Sequence, residues 1–418
     1  MGQFFSDVVE QAIADIYYCY DNDKAKQAAE AVFQAAKNDG DPDAYYILSR
    51  CFSGTCYSWD FHPFSENKAA AYAMLNEAVT RGSAIGVLGA LRMDMLTPAL
   101  QEAMPFESIH AAWESVKEKA DGGNLFCQYM LGNTYYFLDL LEIDNVSEKD
   151  FPDSKAWTGW QREQVEKCLP YFENAFRGGM GLAGRNLVNY YCFGRGSLIP
   201  PEKKTGVEWK RIGADLGYPE WQYKYAVDLF YDNGSLKEQE DACQYARKAA
   251  EAGHLYAWEV LGDALYEGEI VPKDMKKALD CFEKAGDGEN SAYAKSRAGW
   301  IYFQGLDGVP QDYARAVQLM TEAYKLSDGR YGVETLGVCY LLGLGCEQNP
   351  ALGKKLLEEA KPCACRSYGL GMMYAEGIGV KQNIAMGVDW LKKAGEYPPA
   401  KEALTHYKKS FFGVWRKV

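Results

Sequence analysis

Four histidines are the residues best suited to acid or base chemistry, and His62, His110, His254 and His406 stand far apart. None sits in an H-E-x-x-H or comparable zinc-binding run, and no motif joins one to a serine, cysteine or threonine nucleophile. A G-x-x-x-x-G-K-[ST] phosphate loop is missing as well. The G-x-G pairs close helices, whereas a phosphate loop opens one. Carboxylates are plentiful and read as solvated helix faces. One metal arrangement is conceivable, because Cys339, Cys346, Cys363 and Cys365 fall within 27 residues. Their spacings of 7, 17 and 2 lack the usual pair of C-x-x-C knuckles, and two of them fit core positions, so buried thiols compete with a zinc site. The expectation from these residues is no cofactor, no resident metal and no enzyme.

The 418 residues carry a formal charge of −13, which opposes a general nucleic-acid or anionic-surface footprint. With 48% hydrophobic and 25% charged residues the composition is that of an ordinary folded chain. No apolar run reaches the about 18 residues of a membrane-spanning helix. Twelve cysteines show no fixed pairing per repeat, which points to free thiols in a reducing cytoplasm. The first residues lack a secretory leader, although Gly2 and Ser6 fit the minimal myristoylation pattern.

The elements that must position any site repeat themselves. Leu261-Gly262, Ala298-Gly299, Leu336-Gly337 and Leu370-Gly371 recur at intervals of 37, 38 and 34. Tyr302, Tyr340 and Tyr374 follow three places on, with Leu265 in the remaining copy. Gly268, Gly305, Gly343 and Gly377 then end the first helix, and Asp274, Asp312, Asn349 and Asn383 open a second. Small residues one turn later, Ala278, Ala316, Gly353 and Gly387, let the two helices approach. Each copy is a hairpin of a helix A and a helix B that cannot bury its apolar side alone, so copies must stack.

The run Leu370-Gly371, Tyr374, Gly377, Gly379-Val380, then Asn383 and Trp390-Leu391-Lys392-Lys393-Ala394, resembles the Sel-one-like repeat, a relative of the tetratricopeptide repeat. The resemblance implies an all-α, right-handed α/α superhelical solenoid that serves as adaptor or scaffold, with helix A residues lining a concave groove. It implies no reaction.

Along the chain, residues 1–42 read as a capping hairpin with helices over Asp7 to Asn38, split at Asp21-Asn22-Asp23. Degenerate repeats fill 43–255, with helix B of the second running from Phe106 to Ala120 and an expanded loop at 138–161. Four clear repeats occupy 256–397, and 398–418 is a capping segment with a basic and aromatic tail, the whole expected as one continuous solenoid. Nine helix A anchors result, at Ser49, Gly89, Gly132, Val188, Ala226, Gly262, Gly299, Gly337 and Gly371.

Relative to each anchor, positions −3, +1 and +4 share one helical face, away from the core positions −1, 0 and +3. That stripe holds Tyr46, Tyr129, Tyr223 and Tyr368 at −3, Trp300 at +1, and Tyr136, Phe230, Tyr266 and Phe303 at +4. Arg50, Asn133, Arg185 and Asn189 add polar groups to it, and Glu259, Asp263 and Glu334 add acids. Two readings stay open: a groove that grips a polypeptide partner, and aromatics that only pack on the next hairpin. The competing function is a ligand sensor or hydrolase with its site between the 138–161 loop and the concave face.

Overall fold

The computed structural model describes residues 4–18, 21–54, 64–232, 235–286, 291–411 and 413–418, so His62, Cys19 and Cys56 lie outside the described residues. These residues are overwhelmingly helical and group into two compact units, one of residues 1–232 with 251–254 and one of residues 233–250 with 255–418.

In the first unit the expected N-terminal pair is present as Asp7–Tyr17 and Asn22–Asp39, the second capped by Asp21. Hairpins follow: Pro42–Ser53 with Lys68–Thr80, Ala84–Arg92 with Ile109–Asp121, Leu125–Phe137 with Cys168–Arg177, and Ala183–Phe193 with Lys203–Asp215. Pro219–Tyr231 closes the unit. Ser83 and Asn124 cap their helices through Gly86 N at 2.9 Å and Cys127 N at 2.9 Å. Ser83 also donates to the Asp43 carboxylate at 2.6 Å, tying a helix start to the hairpin before it.

The segment expected as an expanded loop at 138–161 is largely helical. A turn at Leu140–Ile143, a 3-10 turn at Glu148–Asp150 and a helix at Ser154–Glu166 fill it. Local capping explains the difference, since Asp150 accepts from the Ser147 backbone and hydroxyl, and Asp153 accepts from Ala156 N at 2.8 Å. Phe151, Trp157 and Trp160 then cluster, the two indoles stacked at 5.6 Å. The helix expected from Phe106 begins instead at Ile109, where Ser108 caps it.

In the second unit the hairpins pair Ala257–Glu267 with Met275–Gly286, Ala292–Gln304 with Tyr313–Leu326, Val333–Leu342 with Pro350–Glu359, and Ala364–Glu376 with Ile384–Lys393. Asp274, Asp312, Asn349 and Asn383 each accept a backbone N–H three residues on, at 2.9–3.1 Å. Their own N–H groups donate to the carbonyls of Leu265, Tyr302, Tyr340 and Tyr374, so the position three after each anchor also fixes where helix B starts. A Cβ on Gly371 would lie 2.7 Å from the Leu391 side chain, so only glycine lets this pair of helices close up. Gly377 leaves the helix at φ +74, a left-handed turn.

The unit ends in a short helix, Pro398–Leu404, and an antiparallel hairpin of Tyr407–Lys409 with Trp415–Lys417. The strands were not expected from the sequence. They form because Tyr407 is buried and Trp415 lies under Lys392 at 4.7 Å, giving the ribbon a helical surface to lean on.

Candidate functional site

Four residues of the aromatic stripe are core, a correction to any reading of them as open groove. Tyr46 fills the space above Gly89 and sets its hydroxyl 3.5 Å from the Met130 sulfur. Tyr129 leans on Phe126 and Phe172, and Phe230 and Phe303 are 5% and 4% exposed. Helix A presents this face partly to the next hairpin, so large rings there meet protein before solvent. Tyr266 is half-buried beneath the Arg297 guanidinium at 4.1 Å. Arg50 lies 6.0 Å over the Tyr17 ring.

Asn133 and Tyr136 belong to a polar ledge in the first unit. Asn133 accepts from Asn186 at 2.6 Å, and its backbone carbonyl accepts from Arg92 at 2.7 Å. Arg92 also pairs with Asp139 and sits 4.0 Å over Phe137, while Arg195 lies 5.1 Å over Tyr136. Burial pushes the Asp139 carboxyl up to about 6, against the pull of Arg92.

Three stripe residues meet at a surface trough of about 390 Å³ in the first unit. Arg185 and Asn189, at −3 and +1 of one repeat, face Tyr223, at −3 of the next, across Lys224, Lys210 and the exposed Phe193 ring. Arg185 and Lys224 bracket the buried Glu220 carboxylate at 3.1 and 2.8 Å, and Lys210 pairs with Asp228 at 2.6 Å. Tyr223 is held flat by His254, stacked at 4.4 Å. Asn189 is exposed.

A second trough, of about 370 Å³, lies within the second unit. Ser296 and Trp300, again at −3 and +1, form one wall with Glu334, at −3 of the following repeat. Tyr397 stacks on Trp300 at 6.4 Å and accepts from Gln304 at 2.9 Å, while Tyr368 meets Tyr397 edge-on at 5.7 Å. Arg330 stands at the rim, and the Thr335 hydroxyl is buried without a hydrogen-bond partner among the described residues. Sequence reasoning missed Lys210, Lys224, Phe193, Arg330 and Tyr397, since Lys224 stands one residue off the stripe within helix A and the others come from helix B, from a helix end or from loops.

The model for the Sel1 repeat matches residues 180–218, 219–254, 260–290, 292–328, 336–361 and 367–396. This is a Sel1-repeat protein. Human protein sel-1 homolog 2 is 31% identical over 127 residues, which is 30% of this chain and 18% of that relative, so the chain spans under a fifth of its length. Among solved structures, a protective antigen of uropathogenic Escherichia coli displaying the Sel1-like repeat fold aligns over 95% of this chain and 78% of its own. It has a TM-score of 0.50 and is 18% identical. A Sel1 repeat protein from Oxalobacter formigenes is 21% identical, with a TM-score of 0.47, over 80% of this chain and 89% of its own. The fold class is therefore the Sel1-type α/α solenoid, and Sel1 repeats generally mediate protein–protein interaction.

Two other features bear on chemistry in this Sel1-repeat protein. His110 Nδ1 lies 2.6 Å from Asp144 and its Nε2 faces Glu114 at 3.7 Å, so the imidazole sits between two carboxylates on an exposed surface. Among the described residues no three His, Cys, Asp or Glu side chains come together as metal ligands. Cys339 and Cys365 are buried, and burial raises both thiols well above their ordinary range.

In the helix Ala257–Glu267, Glu259 accepts from the Ser291 hydroxyl and sits one turn from Asp263. Burial first, then Asp263, push its carboxyl up to about 7 from an ordinary 4.5. A carboxyl raised on folding favours the folded state while protonated, so its contribution is complete below pH 4.5 and fades as pH climbs through 7. Urea midpoints of the second unit are expected to fall across that window, and Glu259→Gln to flatten the fall. A midpoint rising with pH in the wild type would contradict the assignment.

Proposed function

We propose that this protein is a non-catalytic scaffold that holds a polypeptide segment on the inner faces of its helices A. The observation that carries the reading is the recurrence of the same repeat positions, −3 and +1, along both troughs. Repetition of one lining in successive hairpins suits a ligand that is itself extended and repeats its backbone groups, as a peptide does. Half-buried aromatics give contact area at low entropy cost, and Asn189, Glu334 and Arg330 offer donors and acceptors to a main chain or to charged side chains. Arg50, Asn133, Tyr136 and Tyr266 line neither trough and are proposed as outlying contacts on the same repeat face, whereas Tyr46, Tyr129, Phe230 and Phe303 act by positioning the helices that carry them.

Sel1-repeat solenoids are typically adaptors without catalysis, and the proposed role follows that pattern. The ten described cysteines are all free thiols, which supports a reducing cytoplasm. Among the described residues no helix is long and apolar enough to cross a membrane.

The test is a photo-crosslinking side chain placed at Asn189, at Glu334 or, as an outward-facing control, at Tyr72 in helix Lys68–Thr80. Discrete protein adducts are expected from Asn189 and Glu334 and none from Tyr72. Tyr223→Ala should cut the Asn189 adduct at least about fivefold with an unchanged melting temperature, as loss of one aromatic contact at a hot spot predicts. Equal labelling from all three positions would remove the troughs from the account.

A further inference from the structure

The chain is acidic overall, at −13, yet residues 392–418 hold seven lysines or arginines against two glutamates. The terminal hairpin organises that charge. Its inward side is satisfied: Tyr407 is 5% exposed and donates to Glu376, and Lys417 pairs with Glu376 at 2.6 Å. Its outward side is not. Lys408 and Arg416 are directly opposed in the strand register on that side, and neither forms an ion pair among the described residues; Lys409, opposite Trp415 on the other face, is exposed and forms none either. Like charges facing each other across a two-stranded ribbon weaken it, so stability does not explain this arrangement. Just beyond the cations, Phe411 is 98%, Val414 55% and Val418 70% exposed.

We propose that this hairpin is a docking tip for an anionic lipid surface. Cations beside a negatively charged leaflet each gain about fivefold in partition, and a protruding phenylalanine and valine can enter the acyl boundary beside them. The same apolar groups have no role in pairing with an acidic protein surface, which the lysines and arginine would satisfy alone. The other charged residues of 389–406 are Asp389, Lys392, Lys393, Glu402 and the Lys401–Glu396 pair, which sum to zero and leave the hairpin's own excess of Lys408, Lys409 and Arg416 uncancelled. This inference does not rest on the scaffold reading, since none of the trough residues lies on the hairpin.

The experiment is sedimentation of the full chain with phosphatidylcholine vesicles containing about 30% phosphatidylserine, and with vesicles of phosphatidylcholine alone. Binding is expected only to the anionic vesicles, and to be lost as salt rises from about 0.05 to about 0.5 M. Lys408→Glu separates the proposal from a structural role, because it turns a like-charge cross-strand pair into an attractive one and so does not weaken the ribbon. It should nevertheless lower anionic-vesicle partition roughly 25-fold, one cation removed and one anion added. Phe411→Ser keeps the charge and should lower partition about tenfold. Binding that ignores phosphatidylserine, or that survives Lys408→Glu, overturns the proposal. So does displacement from vesicles by polyglutamate together with an unaffected Phe411→Ser, which would assign the patch to an acidic protein.

Discussion

Replacing Arg297 by methionine is expected to destabilise the second unit by about 3–5 kcal/mol, the cost of stranding a buried charge. Asp263 is 1% exposed, and its carboxylate accepts from Arg297 at 2.9 and 3.1 Å and from the Tyr293 hydroxyl at 2.8 and 2.9 Å. Arg297 also covers the Tyr266 ring, so the methionine keeps packing while removing the charge. The double variant Arg297→Met with Asp263→Asn should recover much of the loss, because the excess charge goes with its partner. Urea denaturation of all three proteins measures this. A single variant within about 0.5 kcal/mol of wild type, the scatter of surface changes, would mean that the carboxylate is solvated after all.

Trp221→Ala is the second large effect, expected to cost the first unit about 3–5 kcal/mol. Trp221 is 1% exposed, meets Phe176 edge-to-face at 5.4 Å and donates its indole N–H to the Gly181 carbonyl at 3.0 Å. Glycines at 184 and 213 make its room, since a Cβ at either would lie 2.6–2.7 Å from the indole. Neighbouring backbone cannot collapse into a cavity of that size without breaking helix contacts, so the full transfer and cavity terms apply. Hydrogen exchange should show faster opening in helices 183–193 and 219–231. Protection unchanged there would contradict the packing argument.

The hairpin frame was legible because its signals are local. The Leu-Gly pairs mark close helix contacts, the later glycines mark left-handed turns, and Asp274, Asp312, Asn349 and Asn383 are caps wherever they fall in the described structure. The helix at 154–166 was hidden by the same logic, because it follows no repeat interval and its caps are ordinary acids near a proline. The stripe was legible as a face but not as a surface. Tyr223 and Tyr46 occupy the same repeat position, yet one borders a trough and the other fills the notch over Gly89. Which occurs depends on the size of the residue opposite, in a hairpin about 40 positions away, a quantity that no helical period encodes.

Stacked hairpins ordinarily touch only their sequence neighbours, so such arrays tend to fray from an end one module at a time. Tyr397 breaks that rule by reaching back 93 residues to Gln304 and to the Trp300 ring. Detaching the last hairpin therefore strips contacts from a helix two modules inward, and a pull on the C-terminal side should release these modules in one concerted step, not a staircase.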